Sequence, residues 1–365
     1  MLLINNEVVA QTLTMDMTLS ALEQSYLDVA EGRGICRPRI DIGIPTSDPT
    51  KLYRWGTMEG GSTRGYFAIR MKSDIIHYET APDGTRTQEK YCSKPGLFCG
   101  LIFLTDIQSG RPLALINDGV LQHMRVGGDG GIGVKYMARP DAEVVGMLGS
   151  GGMAETHMKS FTSVRNIRKL QIYSPTKANR EEFGRKMAET YGIEVKLCDQ
   201  PEQIYEGADI VAALTDATRP VLNGSLLEPG THVVNVGGGG LPDQGTMDRV
   251  DVYLRFGDAP RPRGHEGSWP LDDEYLTWRI GDNEGKGEKG RAHGVMLADK
   301  RVTLADLATG RSEGRTTDNQ ITWSERGNMQ GAQFHSVAGA TYEAVQQAGL
   351  GHFLPDEWFL QTVRN

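Results

Sequence analysis

The stretch Glu143-Val-Val-Gly-Met-Leu-Gly-Ser-Gly-Gly-Met-Ala154 leaves this chain few folds to choose from. Val144 to Leu148 is an apolar run that reads as a buried strand. Gly149, Ser150, Gly151, Gly152, Met153 and Ala154 then form a glycine-rich turn, and Glu155 to Phe161 reads as a helix. Gly149 permits the tight strand-to-helix turn, Gly151 lets a pyrophosphate approach the backbone, and Ala154 lets the helix pack onto the strand. The helix N-terminus presents free N–H groups and the positive end of its dipole to phosphate.

A strand–helix alternation surrounds this turn. Lys169 to Ser174 reads as the next strand, Thr176 to Tyr191 as a helix, and Glu194 to Cys198 as a strand. Asp209 to Thr215, His232 to Gly237 and Val250 to Phe256 follow as further apolar strands. The pattern predicts an α/β unit with a doubly wound parallel sheet. Its ligand edge gathers Leu214, Thr215, Val236 and Gly237 from the strand ends. Ser174 stands where an NAD enzyme usually has Asp or Glu. Ser174, Thr176, Lys177 and Arg180 offer hydroxyls and cations to a 2′-phosphate, which favours NADP over NAD. The competing reading makes Lys177 and Arg180 solvated helix residues.

The segment before this unit reads differently. Leu19, Leu22, Tyr26, Leu27 and Ala30 recur at helical spacing. Strands are predicted at Ile40–Ile44, Leu52–Met58, Gly65–Lys72, Leu97–Thr105 and Pro112–Asp118, with a polar hairpin loop from Thr80 to Lys90. Leu121 to Ala138 reads as a long, glycine-containing connecting helix. After the fifth apolar strand, residues 258–291 read as a surface insertion, and Val302 to Gly310 as a last helix. The segment from 328 to 347 reads as a closing helix that returns to the first unit. The expected division is therefore 1–127 for a strand-rich α+β unit, 128–311 for the nucleotide unit, and 312–365 for the return.

Composition narrows the function. A net charge of -8, with no long basic run, gives no nucleic-acid footprint. No apolar run approaches the roughly 20 residues of a membrane helix, and the N-terminus lacks the basic region of a signal peptide. Four cysteines without CxxC spacing suggest reduced thiols in a cytoplasm. The histidines lack metal-ligand spacing, so no metal site is expected.

Three cations stand out. Lys72 ends an apolar strand, Arg39 precedes one, and Arg125 lies in a glycine-rich apolar helix. A buried cation needs an anionic partner, and a substrate carboxylate can supply it, held bidentately by Arg. Pairing with a local Asp or Glu is the plainer reading. Asp243, after Gly237-Gly-Gly-Gly-Leu-Pro242, is placed either as an acid–base group or as a helix cap.

Taken together, these residues resemble the ornithine cyclodeaminase/mu-crystallin family. The resemblance rests on Arg37-Pro-Arg39, Lys72, Leu104-Thr-Asp106, Leu121-Gln-His-Met-Arg125, the turn from Gly149 to Ala154, Arg219-Pro-Val-Leu, Pro229 to Gly237, and Gly314-Arg-Thr-Thr-Asp318. It implies a Rossmann domain beside a discontinuous substrate and dimerisation domain, in a homodimer. It implies NAD(P)H as cofactor and hydride transfer at the α-carbon of an amino or imino acid, with Arg39, Lys72 and Arg125 at the substrate. Lys72 and Asp243 are the expected catalytic groups. Met58, in the aromatic and glycine-rich stretch Tyr53 to Ser62, is placed at the substrate wall. The resemblance implies an Asp two residues before Pro242 in cyclodeaminases, and Gly240 stands there instead. That departure favours a net imine reductase or amino acid dehydrogenase over a cyclodeaminase with catalytic NAD. A nucleotide-regulated binding protein without turnover is a third expectation.

Overall fold

The structure is a computed structural model that describes residues 1–80, 86–217, 220–236, 242–264, 275–281 and 297–364. The chain forms two sheets. The second sheet is built first by its sequence: Val144–Leu148 and Ile210–Ala213 are almost wholly apolar and buried on both faces, as strands of a covered parallel sheet must be. Eight strands lie side by side in the order Glu194–Leu197, Lys169–Tyr173, Val144–Leu148, Ile210–Ala213, His232–Asn235, Thr322–Glu325, Val252–Arg255 and Arg301–Thr303. All pairs are parallel. Strand order reverses beside Val144–Leu148, and open α/β sheets bind ligands at such a switch point.

The first sheet has ten strands and is mostly antiparallel. Its centre is Leu52–Ser62 paired with Tyr66–Thr80, which in turn pairs with Cys99–Asp106. Arg39–Pro45 lies outside Leu52–Ser62, and Pro112–Asn117 outside Cys99–Asp106. Helices Met15–Ala30, Gly119–Met137 and Gln330–Gln347 lie over this sheet and bury a continuous apolar core that includes Leu22, Tyr26, Ile102, Leu104 and Phe334. Thr14 caps the first of them by accepting from Met17 N–H.

Several expectations change. The segment from Thr80 to Lys90, expected as a loop, carries the strand Arg86–Tyr91, which extends the hairpin of Tyr66–Thr80. The expected surface insertion carries Tyr275–Arg279, which pairs in parallel with Arg39–Pro45 and forms the edge of the first sheet. The return was expected at 312, yet Thr322–Glu325 sits inside the parallel sheet, between His232–Asn235 and Val252–Arg255. The chain crosses back only with helix Gln330–Gln347. The stretch from Val302 to Gly310 splits into the strand Arg301–Thr303 and the short helix Leu304–Ala308, capped by Thr303.

The closing helix meets the sheet at a backbone-to-backbone contact. A Cβ on Gly331 would lie 1.8 Å from the carbonyl oxygen of Glu59, and one on Gly60 would lie 2.5 Å from the Gly331 carbonyl carbon. Backbone cannot yield as a flexible side chain can. Gly331→Ala is expected to lower unfolding free energy by about 1–3 kcal/mol or more through overpacking, measurable as a fall in the denaturant midpoint at unchanged slope.

Candidate active site

The glycine turn opens a cleft of about 1170 Å³ at the C-terminal edge of the parallel sheet. Gly149 has φ +109°, and a Cβ there would lie 2.2 Å from the Leu214 carbonyl oxygen, so this position admits only glycine. A Cβ on Gly151 would meet nothing within 4 Å, so its backbone faces open space. Helix Gly152–Val164 starts there without a side-chain cap, leaving its first N–H groups for a ligand. Gly149, Ser150, Gly151, Gly152, Met153, Ser174, Thr176, Leu214, Thr215 and Val236 all line the cleft. These features fit the pyrophosphate and ribose of a dinucleotide.

Three expected cofactor residues fall elsewhere. Ala154 is fully buried in the core behind the turn, where it serves helix–strand packing. Lys177 is solvent-exposed and pairs with Glu181 at 3.7 Å. Arg180 is buried beneath Tyr173, donates to the Ser174 carbonyl at 3.0 Å and pairs with Asp199 at 2.8 Å. It holds the loop in place, and its charge is already matched. Gly237 lies outside the described residues. The sequence reading missed Asn179, Asp216 and His123. The His123 ring lies 2.7 Å from where a Gly152 Cβ would be.

His123 sits two residues before Arg125 on helix Gly119–Met137, so one helix reaches from the nucleotide cleft to the first sheet. The sheet face beneath it is charged. Strand alternation puts Arg70, Lys72 and Asp74 on one side of Tyr66–Thr80. Register then aligns Met58, Gly56 and Arg54 opposite them. Lys72 Nζ pairs with Asp74 at 2.8 Å, and Arg54 shares the same carboxylate oxygen at 3.2 Å. Arg70 pairs with Asp118 at 2.5 Å, and Arg39 with Asp41 at 2.7 Å. Lys72 lies between Gly56 and Gly100 in the sheet. A Cβ on Gly56 would lie 2.8 Å from Asp41 Oδ1, and one on Gly100 would overlap the Asp118 carboxylate. The two glycines make room for the carboxylates around Lys72.

Burial and the neighbouring Lys90 push the Lys72 ammonium down to about 7 against the pull of Asp74. Its side chain is 15% exposed, enough to reach a ligand. Arg125 is buried, and burial and then Arg326 push its guanidinium down to about 9. Among the described residues it hydrogen-bonds no carboxylate. Its partners are the Gln122 side-chain oxygen at 2.9 Å, the Gln333 side-chain oxygen and the Phe334 ring, with its guanidinium carbon 4.8 Å from the centroid. Gln333 in turn donates to Asp129 and to the Tyr26 hydroxyl, each at 2.8 Å. Tyr26 donates to Asp129 as well. Burial raises the Asp129 carboxyl to about 6.

Lys72 and Arg39 share one sheet face, and Arg125 lies over its Arg70 end, against the same Phe334 ring. Met58 shares that face but is buried in the core, so it supports the wall from behind. Asp243 resolves as the cap: it accepts from Thr246 N–H at 2.9 Å and from Gly224 N–H at 3.2 Å. Of the two readings of Asp243, these contacts fit the helix cap. Arg54, Arg70, Asp74, Lys90 and Gln333 were missed. Among the described residues no cluster of His, Cys, Asp and Glu could hold a metal ion.

Fold and site together define a two-sheet α/β protein with a dinucleotide-type cleft beside a cationic face. The sequence profile of the ornithine cyclodeaminase/mu-crystallin family matches residues 98–346, and the chain belongs to that family. The match begins downstream of Lys72. A delta(1)-pyrroline-2-carboxylate reductase of Bacillus cereus is 33% identical over 258 residues, covering 69% of this chain and 73% of that protein. The ornithine cyclodeaminase of Agrobacterium fabrum is 27% identical over 257 residues, 66% of this chain and 69% of that one. Among solved structures, the Thermococcus litoralis delta(1)-pyrroline-2-carboxylate reductase in complex with NADH and L-proline superposes with a TM-score of 0.72 at 21% identity. That superposition covers 97% of this chain and 100% of that one.

The Arg125–Gln333–Asp129 chain is closed, so breaking it exposes its cost. Gln333→Met keeps volume but leaves Asp129 Oδ2 without its donor and Arg125 Nη1 without its acceptor. Unfolding free energy is expected to fall by about 1–3 kcal/mol for the groups left unsatisfied, read by thermal or denaturant unfolding.

Proposed function

We propose that the protein is a nicotinamide-dependent oxidoreductase that reduces a C=N bond next to a carboxylate, or oxidises the corresponding amine. The observation that carries this is Arg125: a buried guanidinium with only neutral hydrogen-bond partners among the described residues, on the helix that borders the dinucleotide cleft. A substrate carboxylate completes its bonding, and Arg39 flanks the same face. The reacting carbon then lies between that helix and Lys72. Reduced nicotinamide, when bound, supplies the hydride. Lys72 supplies the proton to nitrogen, with Asp74 holding its ammonium in place. The fixed cations also stabilise negative charge at the reacting centre without reorganisation. The likeness to reductases of pyrroline-2-carboxylate agrees with this chemistry.

The cofactor is NADP in preference to NAD. Ser174 ends the second strand in place of an acid, and Thr176 lines the cleft without a side-chain cap bond. The protein works as a homodimer in the cytoplasm. The outer face of the first sheet supports the dimer: Ile42, Ile44 and Trp278 stand exposed on it, opposite the charged face. Ile42→Asp is expected to shift the assembly to monomer in sedimentation velocity.

The deciding assay mixes NADPH or NADH with imino acids and follows nicotinamide absorbance together with amine formed. Stoichiometric NAD(P)H loss is expected, with a lower KM for NADPH. Ammonia released from a diamino acid with no net absorbance change would establish the cyclodeaminase instead. Because Lys72 sits at about 7, the proton it donates is lost as pH rises through that value. kcat/KM for reduction should therefore fall about tenfold per pH unit above neutrality, while amine oxidation rises. Lys72→Met should cut turnover by about 10²-fold or more and flatten that profile, with NADPH binding unchanged by calorimetry.

A further inference from the structure

We infer that the substrate is dicarboxylic: Arg54 and Lys90 form a second anion site on the far side of Lys72 from Arg125. The inference rests on the reaction proposed above and names its substrate class.

Charge accounting starts it. The inner sheet face and the helix above it gather Arg39, Arg54, Arg70, Lys72, Lys90 and Arg125 against Asp41, Asp74 and Asp118. Two carboxylates are each matched to one cation, Asp41 to Arg39 and Asp118 to Arg70. The third, Asp74, serves both Lys72 and Arg54. Arg125 and Lys90 bond no carboxylate among the described residues. Farther back, Asp129 and Arg326 add one charge of each sign beside Arg125. A single substrate carboxylate leaves this face strongly positive, and uncompensated charge shielded from water is costly.

Register places the surplus. Arg70 and Asp74 flank Lys72 two residues away on the same strand, about 7 Å to either side. Arg125 belongs to the Arg70 end, because both guanidiniums lie over the Phe334 ring, at 4.8 and 5.3 Å. Arg54 belongs to the Asp74 end by direct pairing, and Lys90 lies one step beyond, opposite Ile76 on the same face. Lys72 therefore stands midway between two cationic ends.

Arg54 has a donor to spare: its Nε is buried and unpartnered among the described residues. The Lys90 residue is exposed, yet its ammonium is pushed down by burial and by Arg54, Arg39 and Arg70 nearby, against the pull of Asp74. A substrate gripped at Arg125 and reduced beside Lys72 points its remaining chain at this second pair. An amine there meets like charge. An alkyl chain leaves the Arg54 Nε without an acceptor. A carboxylate satisfies both cations.

The test compares imines formed from ammonium with 2-oxoglutarate or oxaloacetate against those from 2-oxobutyrate or pyruvate, using NADPH and the intact protein. Dicarboxylates are expected to win in kcat/KM by about tenfold or more, the equivalent of one partly shielded ion pair. Lys90→Glu, an exposed change that the fold tolerates, should collapse or invert that ratio, and Arg54→Met should lower it. Equal or better use of the monocarboxylates, or a ratio unmoved by Lys90→Glu, overturns the inference while leaving the proposed reaction standing. Calorimetry with glutarate and butyrate on the NADP-loaded protein reads the site without turnover. Glutarate preference lost in Lys90→Glu, with no imine reduced, keeps the second site and overturns the reaction. No preference in either experiment overturns the site.

Discussion

A guanidinium taken out of water must be balanced, and among the described residues Arg125 hydrogen-bonds only to neutral acceptors and packs on a ring. Gln122 and Gln333 accept its N–H groups and Phe334 lies against its flat face. Bonds to neutral acceptors hold the group in a fixed orientation without cancelling its charge. Asp129, the nearest carboxylate, bonds Gln333 and Tyr26 instead, so it supports the arginine from one residue away. Arg125 is thereby stiff, buried and still positive. That combination favours binding of an anion over internal neutralisation.

The helix that carries Arg125 explains how the two units meet. Gly119–Met137 is rich in glycine, at about 1 kcal/mol of helix propensity for each glycine relative to alanine. Close packing offsets that. A Cβ on Gly127 would lie 2.5 Å from the Thr156 carbonyl oxygen, and one on Gly128 would lie 2.6 Å from Leu22. Gly130 and Gly131 similarly face His157 and Ser160. The glycines let this helix sit tightly against Gly152–Val164, the helix of the nucleotide turn, and against Met15–Ala30. The same packing that fixes the turn fixes Arg125 over the sheet, so cofactor cleft and cationic face are held in register by backbone contact.

Much of this was legible in the chain. The turn at Gly149 and the βα alternation are local patterns with a strong physical cause, and they gave the parallel sheet and most of the cleft. Lys72, Arg39 and Arg125 stood out because cations in apolar segments need a partner. Local spacing failed where the answer depended on pairing between distant segments. Arg54 faces Asp74 only through strand register, and Gln333 reaches Arg125 across 208 positions. Tyr275–Arg279 joins the first sheet as a parallel edge strand, which a Gly- and Pro-rich surrounding conceals. Arg180 shows the opposite failure. Its position by the ribose end suggested a phosphate ligand, but the Ser174 carbonyl and Asp199 claim it.

The depressed Lys72 and the positive surplus are one phenomenon. Burial disfavours its ammonium, Lys90 and Arg70 repel it, and Asp74 alone counters them while also serving Arg54. A bound anion adds negative charge to this face and raises the Lys72 pKa. On the proposed reaction, substrate binding would therefore recharge Lys72, which the free site holds at about 7. That coupling requires that the cations outnumber the carboxylates before the substrate arrives.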